Sequence, residues 1–272
     1  MITVTEFRKI DFEVKEALEE LFRFAQNHEL DKNDFFLFLS NATYYEDHEG
    51  TQVSCYIIDN RMDMYADNDR FDFLTKYLKT YYSFASYNTS DSKESMTMEM
   101  MMYTHIWESR NFLKSLKQLS DFCDSKEYEW KLSVPNAQNS DSKQNFIRNE
   151  IRDNFRKHNL KIADVMTKGY RSQFRNAFAH SDYSFAFTDD KIILHNYKPG
   201  GYEVKDVAFN DWTKFFCYSF LLNYYMHIQI YSERQKIASP IQLTLRDKDG
   251  NKKAGEIEYD KEHNSFSGKI FV

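Results

Sequence analysis

The chain has 272 residues, a formal net charge of −6 and 29% charged residues, which predicts a soluble protein with room for one large domain or for one domain with an appendage. With only 7 glycines and 3 prolines against 42% hydrophobic residues, the composition favours long helices over a turn-rich β architecture. The net acidity argues against a nucleic-acid partner for the chain as a whole, and three well-separated cysteines argue against a disulfide framework and favour the cytoplasm.

Residues 1–90 are predicted to form a mixed α/β region. Apolar residues recur at helical spacing over residues 11–28 and again over residues 69–86, which predicts two helices. Between them, the partly alternating and β-branched segment 51–58 favours a strand. The N-terminus is polar and charged, which argues against a signal peptide. No motif in this region points to a function.

Residues 91–238 are predicted to form a helical bundle, the main domain of the chain. Helical periodicity and N-cap signals place four helices there, over residues 92–123, 144–158, 160–180 and about 210–236. The polar segment 132–145 predicts a loop between the first two helices. The last helix is apolar nearly all round, which predicts a central position, but it contains too many polar residues for a membrane span.

Strands are predicted in two places beyond the bundle helices. DD and PGG turn signals divide the segment after residue 182 into two or three short strands, a β-hairpin insertion after the third bundle helix. After Pro240 the sequence alternates and is punctuated by DG and SG, which predicts a small β tail over residues 239–272. The predicted fold class is therefore mainly α, a helical bundle with a β-hairpin insertion and a small β tail.

Positive charge is concentrated in one part of this acidic chain. Residues 141–180 contain nine Lys or Arg and four Asp or Glu, a balance of +5, so the remainder of the chain carries −11 against the total of −6. Such a regional asymmetry is typical of a local site for a polyanion. The alternative interpretation is an ordinary solvated helix face.

A cationic row is predicted on the helix over residues 160–180. Lys168, Arg171 and Arg175 are spaced i, i+3 and i+7, which places them on one face of an ideal helix. Arginine suits phosphate because its planar fork reaches two oxygens at once. We expect Lys168 and Arg171, together with Arg152 and Arg156 on the preceding helix, to bind RNA.

The end of that helix carries an arginine, an asparagine and a histidine in the stretch RNAFAHSDY. At 100° per residue, Asn176 and His180 share a face, whereas Arg175 and His180 are about 140° apart. Two arrangements would bring the last pair together. Either the helix ends before His180 and the side chains converge, or a second chain supplies the missing partner.

Arg175, Asn176 and His180 at the end of a third bundle helix resemble the signature of the HEPN superfamily, an arginine and a histidine separated by four to six residues with a polar residue after the arginine. The resemblance covers about residues 92–236 and implies a HEPN-like helical bundle. Many HEPN proteins are metal-independent endoribonucleases of toxin–antitoxin, CRISPR-linked and phage-defence systems, and they usually act as dimers whose motifs face each other. Some toxins of the superfamily carry a modified tyrosine two residues after the histidine. Tyr183 is three residues on and is expected to pack instead.

RNA cleavage by its own 2′-OH needs one proton removed, one proton delivered and charge stabilised at the phosphorus. Imidazole titrates near neutral pH, so we expect His180 to be the acid or base. Arginine keeps its proton, so Arg175 is expected to clamp the phosphate, with Asn176 as an orienting group. The implied partners are RNA, a second copy of the chain and a cognate antitoxin or defence-complex subunit. No metal, cofactor or membrane is expected.

The alternative function is a catalytically inactive HEPN-like module that binds nucleotides, RNA or a partner protein.

Two further features of the first bundle helix are expected to be structural rather than functional. Glu108 and Arg110 on the first bundle helix are expected to be surface ions, although a HEPN-like site can draw on a polar residue from that helix. The Met-rich stretch TMEMMMY at residues 97–103 is expected to be core or interface rather than a cofactor site.

Overall fold

The computed structural model describes residues 2–31, 33–45, 55–59, 69, 71–77, 79–80, 82, 92–135, 140–199, 203–247 and 249–271. These residues are mostly helical and carry three small antiparallel sheets, so the predicted mainly α class is confirmed. In this part of the chain, every helix is too short or too polar to cross a lipid bilayer.

The N-terminal region begins with a long helix. Its elements are α1 (Val4–His28), α2 (Asp34–Leu39), β1 (Thr43–Tyr44) and β2 (Tyr56–Ile57). Helix α1 starts earlier than predicted because Thr3 and Glu6 form a reciprocal capping box, in which the Thr3 hydroxyl accepts the Glu6 N–H at 3.2 Å and Glu6 accepts the Thr3 N–H at 2.9 Å. Helix α1 packs against later helices and shares one hydrophobic core with them.

Two predictions for this region are tested only in part. A strand was predicted over residues 51–58. The structure has the short strand β2 within this range, and residues 51–54 lie outside the described part of the chain. Of the predicted helix over 69–86, residues 69, 71–77 and 79–80 are helical, whereas Tyr82 lies in a bend, contrary to the prediction. Positions 70, 78, 81 and 83–86 lie outside the described part of the chain.

The predicted helix over residues 92–123 is in fact two helices, α3 (Lys93–Glu108) and α4 (Arg110–Cys123). Ser109 separates them with an extended backbone of φ −63° and ψ 115°. Its hydroxyl accepts the backbone N–H of Phe112 at 3.3 Å, so it caps the start of α4. Apolar residues continue in phase across the break, and the sequence prediction therefore missed it.

A helical segment follows the loop and begins earlier than the predicted residue 144. It comprises α5 (Ser140–Asn145), a π-helical stretch (Phe146–Arg152) and α6 (Asp153–Lys157). The predicted helix over residues 160–180 is also divided, into α7 (Ile162–Gly169) and α8 (Ser172–Ala179). Tyr170 and Arg171 are extended between them, with ψ of 123° and 117°. Lys168 and Arg175 therefore lie on different helices, and the predicted single cationic row does not form.

The insertion after α8 is a three-stranded antiparallel sheet, and the long helix that follows it is central. The strands are β3 (Tyr183–Ala186), β4 (Lys191–Leu194) and β5 (Asp206–Ala208), in the order β3-β4-β5. Helix α9 (Phe209–Gln235) contacts α1, α2, α3 and α7. Trp212 on α9 and Trp107 on α3 are fully buried between these helices. Both the insertion and the central helix are confirmed.

The predicted β tail is also confirmed. It comprises β6 (Ile241–Arg246), β7 (Lys252–Asp260) and β8 (Ser265–Ile270), paired antiparallel in chain order. Gly250 has a φ of +83° in the turn between β6 and β7, a left-handed conformation that favours glycine. Buried Arg234 near the end of α9 donates to the Leu39 carbonyl at 2.8 Å and lies over the Phe266 ring, which ties the tail to the bundle.

Candidate active site

Helix α8 is fixed against α9 by its aromatic face. The rings of Phe174 and Phe178 contact Trp212 at centroid distances of 5.9 Å and 4.7 Å. Such edge-to-face contacts between large buried rings set both the position and the rotation of a short helix. Arg175 and Asn176 therefore project in defined directions, toward the junction of α3 and α4.

Arg175 is buried and has two partners. Its side chain is 8% exposed, and its Nη1 lies 2.5 Å from Oε1 of Glu108, the last residue of α3. Its Nε and Nη2 both donate to Oδ1 of the neighbouring Asn176, at 3.2 Å and 2.6 Å. These bonds engage three of its five N–H groups, and its burial limits the access of a phosphate oxygen to the other two.

Lys143 completes the cluster from a third direction. Its side chain is 4% exposed, and its Nζ contacts Oε2 of Glu108. We call Glu108, Lys143, Arg175 and Asn176 the Arg175 cluster. With its three charged groups ionised, the cluster carries one excess positive charge, and of these three side chains Glu108, at 34%, is the most exposed. The partly exposed group is an acid, however, so an anion that approaches from the side of Glu108 meets a carboxylate before it reaches the two buried cations.

Neither Glu108 nor Lys143 was predicted as a site residue. Glu108 was expected to be a surface ion, whereas it bridges two buried cations. Lys143 falls in the segment predicted as a loop. The available signal for Glu108 was that a HEPN-like site can draw on a polar residue of the first bundle helix. No local pattern indicates Lys143, because it meets Glu108 across 35 residues of sequence.

His180 lies at the end of α8 and is exposed to solvent, whereas Arg175 is buried. The helix closes with a Schellman motif, in which the N–H of Asp182 donates to the Ala177 carbonyl at 2.7 Å and the N–H of Ser181 to the Phe178 carbonyl at 3.3 Å. Ser181 has a φ of +59°, the left-handed conformation that this motif requires. His180 is thereby the C-cap residue of α8 and is exposed. Within the described part of the chain, its imidazole makes no hydrogen bond.

Of the two arrangements expected for His180, the first is present in part. The helix does end before His180, at Ala179. However, the oxygen of the Asn176 side chain is occupied by Arg175, so this oxygen does not orient the imidazole. Asn176 instead holds the guanidinium, and the chain places the exposed His180 one helical turn after Asn176, where its backbone N–H donates to the Asn176 carbonyl at 3.1 Å.

Three of the four residues predicted to bind RNA are paired with acids. Lys168 pairs with Glu13 of α1, while Arg152 and Arg156 share Asp153 at 2.8 Å and 2.5 Å. Much of the positive charge in residues 141–180 is therefore neutralised locally, in a way that a count of charges does not reveal.

Arg171 differs from the other three predicted cations. Its guanidinium lies over the rings of Phe174 and Phe215, at 5.4 Å and 5.7 Å, and it makes no ion pair with a described residue. Tyr103 of α3 holds its main chain, since the tyrosine hydroxyl accepts the Arg171 N–H at 2.9 Å and donates to the Arg171 carbonyl at 3.3 Å. Arg171 is thus a positioned cation with capacity for an anion.

Tyr183 begins β3 and packs, as expected from its position. Its ring contacts Phe178 and Phe185 at centroid distances of 5.4 Å and 5.6 Å, which links the insertion to the motif helix.

Comparison with known proteins leaves the function open. No model of a protein family matches the sequence, and neither the curated proteins nor the solved structures contain a match. The functional interpretation therefore depends on the residues and their geometry.

Proposed function

We propose that the protein is a HEPN-type, metal-independent endoribonuclease that acts as a homodimer, as an effector of a toxin–antitoxin or phage-defence system. The observation that carries this proposal is the arrangement at the end of α8. An exposed imidazole, His180, follows a turn of helix in which Arg175 is fixed by Glu108 and Asn176. A proton-transfer group beside a positively charged, preorganised cluster suits phosphodiester chemistry.

In the proposed reaction, one imidazole takes the proton of the RNA 2′-OH. The 2′-oxygen then bonds to phosphorus, the bond to the 5′-oxygen breaks, and that oxygen receives a proton. The products are a 2′,3′-cyclic phosphate and a 5′-OH. A single imidazole cannot act as base and acid in the same step, and a second copy of the chain supplies the second His180. The homodimer is therefore part of the proposal.

We assign the cations separate roles. Arg171 is the best candidate for direct contact with a phosphate, because its guanidinium stacks on two rings and makes no ion pair with a described residue. Arg175 contributes positive potential from within the cluster and contacts phosphate directly only if RNA displaces Glu108. Lys168, Arg152 and Arg156 act as a weaker, salt-sensitive surface for the strand, because each already has an acidic partner.

The test is cleavage of a single-stranded RNA by the purified protein in the presence of EDTA. We expect products with cyclic phosphate ends, and a loss of about 10²–10⁴-fold in rate for His180→Ala, the usual size of an acid–base contribution. His195→Ala is the matched control, since His195 is also exposed but its ring bonds Ser184 on the insertion. Inhibition by EDTA, or full activity of His180→Ala, would refute the mechanism.

The dimer is tested by mixing chains. We expect the wild-type protein to elute as a dimer in light-scattering chromatography. A mixed dimer with one His180→Ala chain should lose nearly all activity, because one cleft needs both imidazoles. A monomer that cleaves RNA at the full rate would show that each site is complete on its own.

A second candidate is a HEPN-like module that binds nucleotides, RNA or a partner protein without cleaving RNA. The observation in its favour is that Arg175 is already occupied by Glu108 and Asn176 and is nearly inaccessible. A gel assay separates the two candidates. Retarded but intact RNA favours the binding module, and shortened RNA favours the nuclease. Copurification with a cognate antitoxin or a defence-complex subunit would be compatible with both.

A further inference from the structure

A cavity of about 320 Å³ lies between α3, the helical residues 71–77 and α9. Most of its lining is apolar, and three methionines of α3 contribute to it: Met98, Met101 and Met102. Methionine normally fills irregular gaps in a core, because its side chain is flexible. Here three methionines leave a cavity large enough for a ligand.

The methionines of α3 divide between two faces. At 100° per residue, Met98, Met101, Met102 and His105 fall within an arc of about 100°. All four line the cavity. Met96 and Met100 lie on the opposite face and are each 1% exposed in the core. The expectation that TMEMMMY is core or interface therefore holds, as core, for Met100, Met102 and Tyr103, whereas Met101 is 58% exposed and lies at the cavity.

A second imidazole enters the cavity from α9. His227 lines it together with His105, and the His227 ring lies 4.8 Å from the ring of Phe71. The cavity thus brings together thioethers and imidazoles from two helices. Asp69 and Asn223 also line it.

We propose that this cavity binds a soft monovalent metal ion, Cu(I) or its analogue Ag(I), through Met101, Met102, His105 and His227. Thioether sulfur is a soft donor that selects Cu(I) over hard cations, and imidazole also suits copper. The chemistry of the donors therefore favours copper over Mg²⁺ or Ca²⁺, which prefer sets of oxygen ligands.

The spacing along α3 suits one ion. Met101 and Met102 precede His105 by four and three residues, so their Cβ atoms lie about 5–6 Å from that of His105, a distance that long side chains close around an ion. Met98 lies two turns from His105, about 10 Å along the axis, and cannot bind the same ion. We assign Met98 to the cavity wall. The site needs His227 to close it from the opposite helix.

The test is titration of the folded protein with Ag(I), followed by calorimetry and by NMR of the methionine methyl groups. We expect one ion to bind, with shifts of the Met101 and Met102 methyls. Met101→Leu with Met102→Leu keeps the apolar lining but removes both sulfurs, and should weaken binding at least tenfold. His105→Gln and His227→Gln should each weaken it as well. Met96→Leu with Met100→Leu, on the buried face of the same helix, is the matched control and should bind as the wild type does.

The experiment must distinguish silver bound by cysteine thiols from silver bound by methionine thioethers. Cys123 and Cys217 are buried and Cys55 is half-buried, so Cys55 is the competing soft donor to remove. The titration is therefore repeated with Cys55→Ser, which should retain the site. Absence of stoichiometric binding, or binding unchanged in the double leucine variant that melts at the wild-type temperature, would overturn the proposal. Binding of an apolar dye in place of silver would also overturn it. None of these measurements depends on cleavage of RNA.

Discussion

The Glu108 carboxylate lies 2.5 Å from the Arg175 guanidinium and joins the end of α3 to the motif helix across 67 residues of sequence. The same carboxylate also contacts Lys143, so one acid pairs with two buried cations that come from separate helices.

Replacement of Glu108 by glutamine should destabilise the protein. The substitution leaves Lys143 and Arg175, both nearly inaccessible, without a counter-charge. Because Glu108 is itself partly exposed, solvent screening limits the expected loss to about 1–2 kcal/mol in the free energy of unfolding. Urea denaturation measures it. Glu262→Gln, at an exposed position, is the control, and an equal effect of both variants would contradict the assignment.

Gly169→Ala should destabilise the contact between α7 and α9. A Cβ atom at Gly169 would lie 3.1 Å from the backbone nitrogen of Ser219 and 3.2 Å from the Cβ of Tyr218, tighter than nine in ten real Cβ contacts, so these backbone and Cβ atoms would have to shift. The expected loss is about 1–3 kcal/mol, which is typical of overpacking in a core. Thermal unfolding checks it against Gly268→Ala in the tail, where the nearest atom lies at an ordinary 3.4 Å.

Stability should fall as the pH rises through the pKa values of Glu29 and Asp34. Burial raises the pKa of Glu29 to about 7 and that of Asp34 to about 6. An acid whose pKa is higher in the folded state contributes stability below its ordinary pKa, and this contribution is lost as the pH rises through the folded-state value.

Glu29→Gln should therefore match the wild type near pH 4 and exceed it in stability at pH 8. Chemical denaturation at the two pH values measures the difference. The glutamine oxygen can still accept the N–H of Phe35, which the carboxylate accepts at 2.7 Å, so the comparison isolates the charge. A constant difference between the variants at all pH values would disprove the assignment.

Asp124 should show the opposite dependence on pH. Partial burial alone would raise its pKa, but hydrogen bonds from Lys157 and His158 outweigh it and lower the pKa to about 2. Its contribution to stability is thus fully present above about pH 4 and is lost as the pH falls toward 2. Asp124→Asn should be less stable than the wild type at pH 7 and nearly equal to it at pH 2, as judged by urea midpoints.

Periodic patterns predicted the helices better than their ends. The central helix α9, the insertion and the tail followed from apolar runs and turn signals, which are local. The breaks at Ser109 and at Tyr170–Arg171 did not, because the apolar phase continues through both. At the second break, a side chain distant in sequence also holds the extended backbone. Tyr103, which binds the main chain of Arg171 from both sides, is such a residue.

The candidate site likewise has features that the sequence predicted and features that it did not. Arg175, Asn176 and His180 were selected from their spacing, and the structure places Arg175 and Asn176 within α8 and His180 at its C-cap. The burial of Arg175 and the acidic partners of Lys168, Arg152 and Arg156 depend on contacts between helices, or on side-chain conformations, that spacing does not encode.

Helix α3 is constrained at three positions by contacts of different kinds. Tyr103 holds the main chain of Arg171, Glu108 holds the side chain of Arg175, and Trp107 donates to the Ser219 hydroxyl at 3.0 Å. A rotation of α3 about its axis would strain all three at once. In a deep mutational scan, tolerance along this helix should therefore follow these tethers rather than solvent exposure, and pairs of compensating changes should be rare.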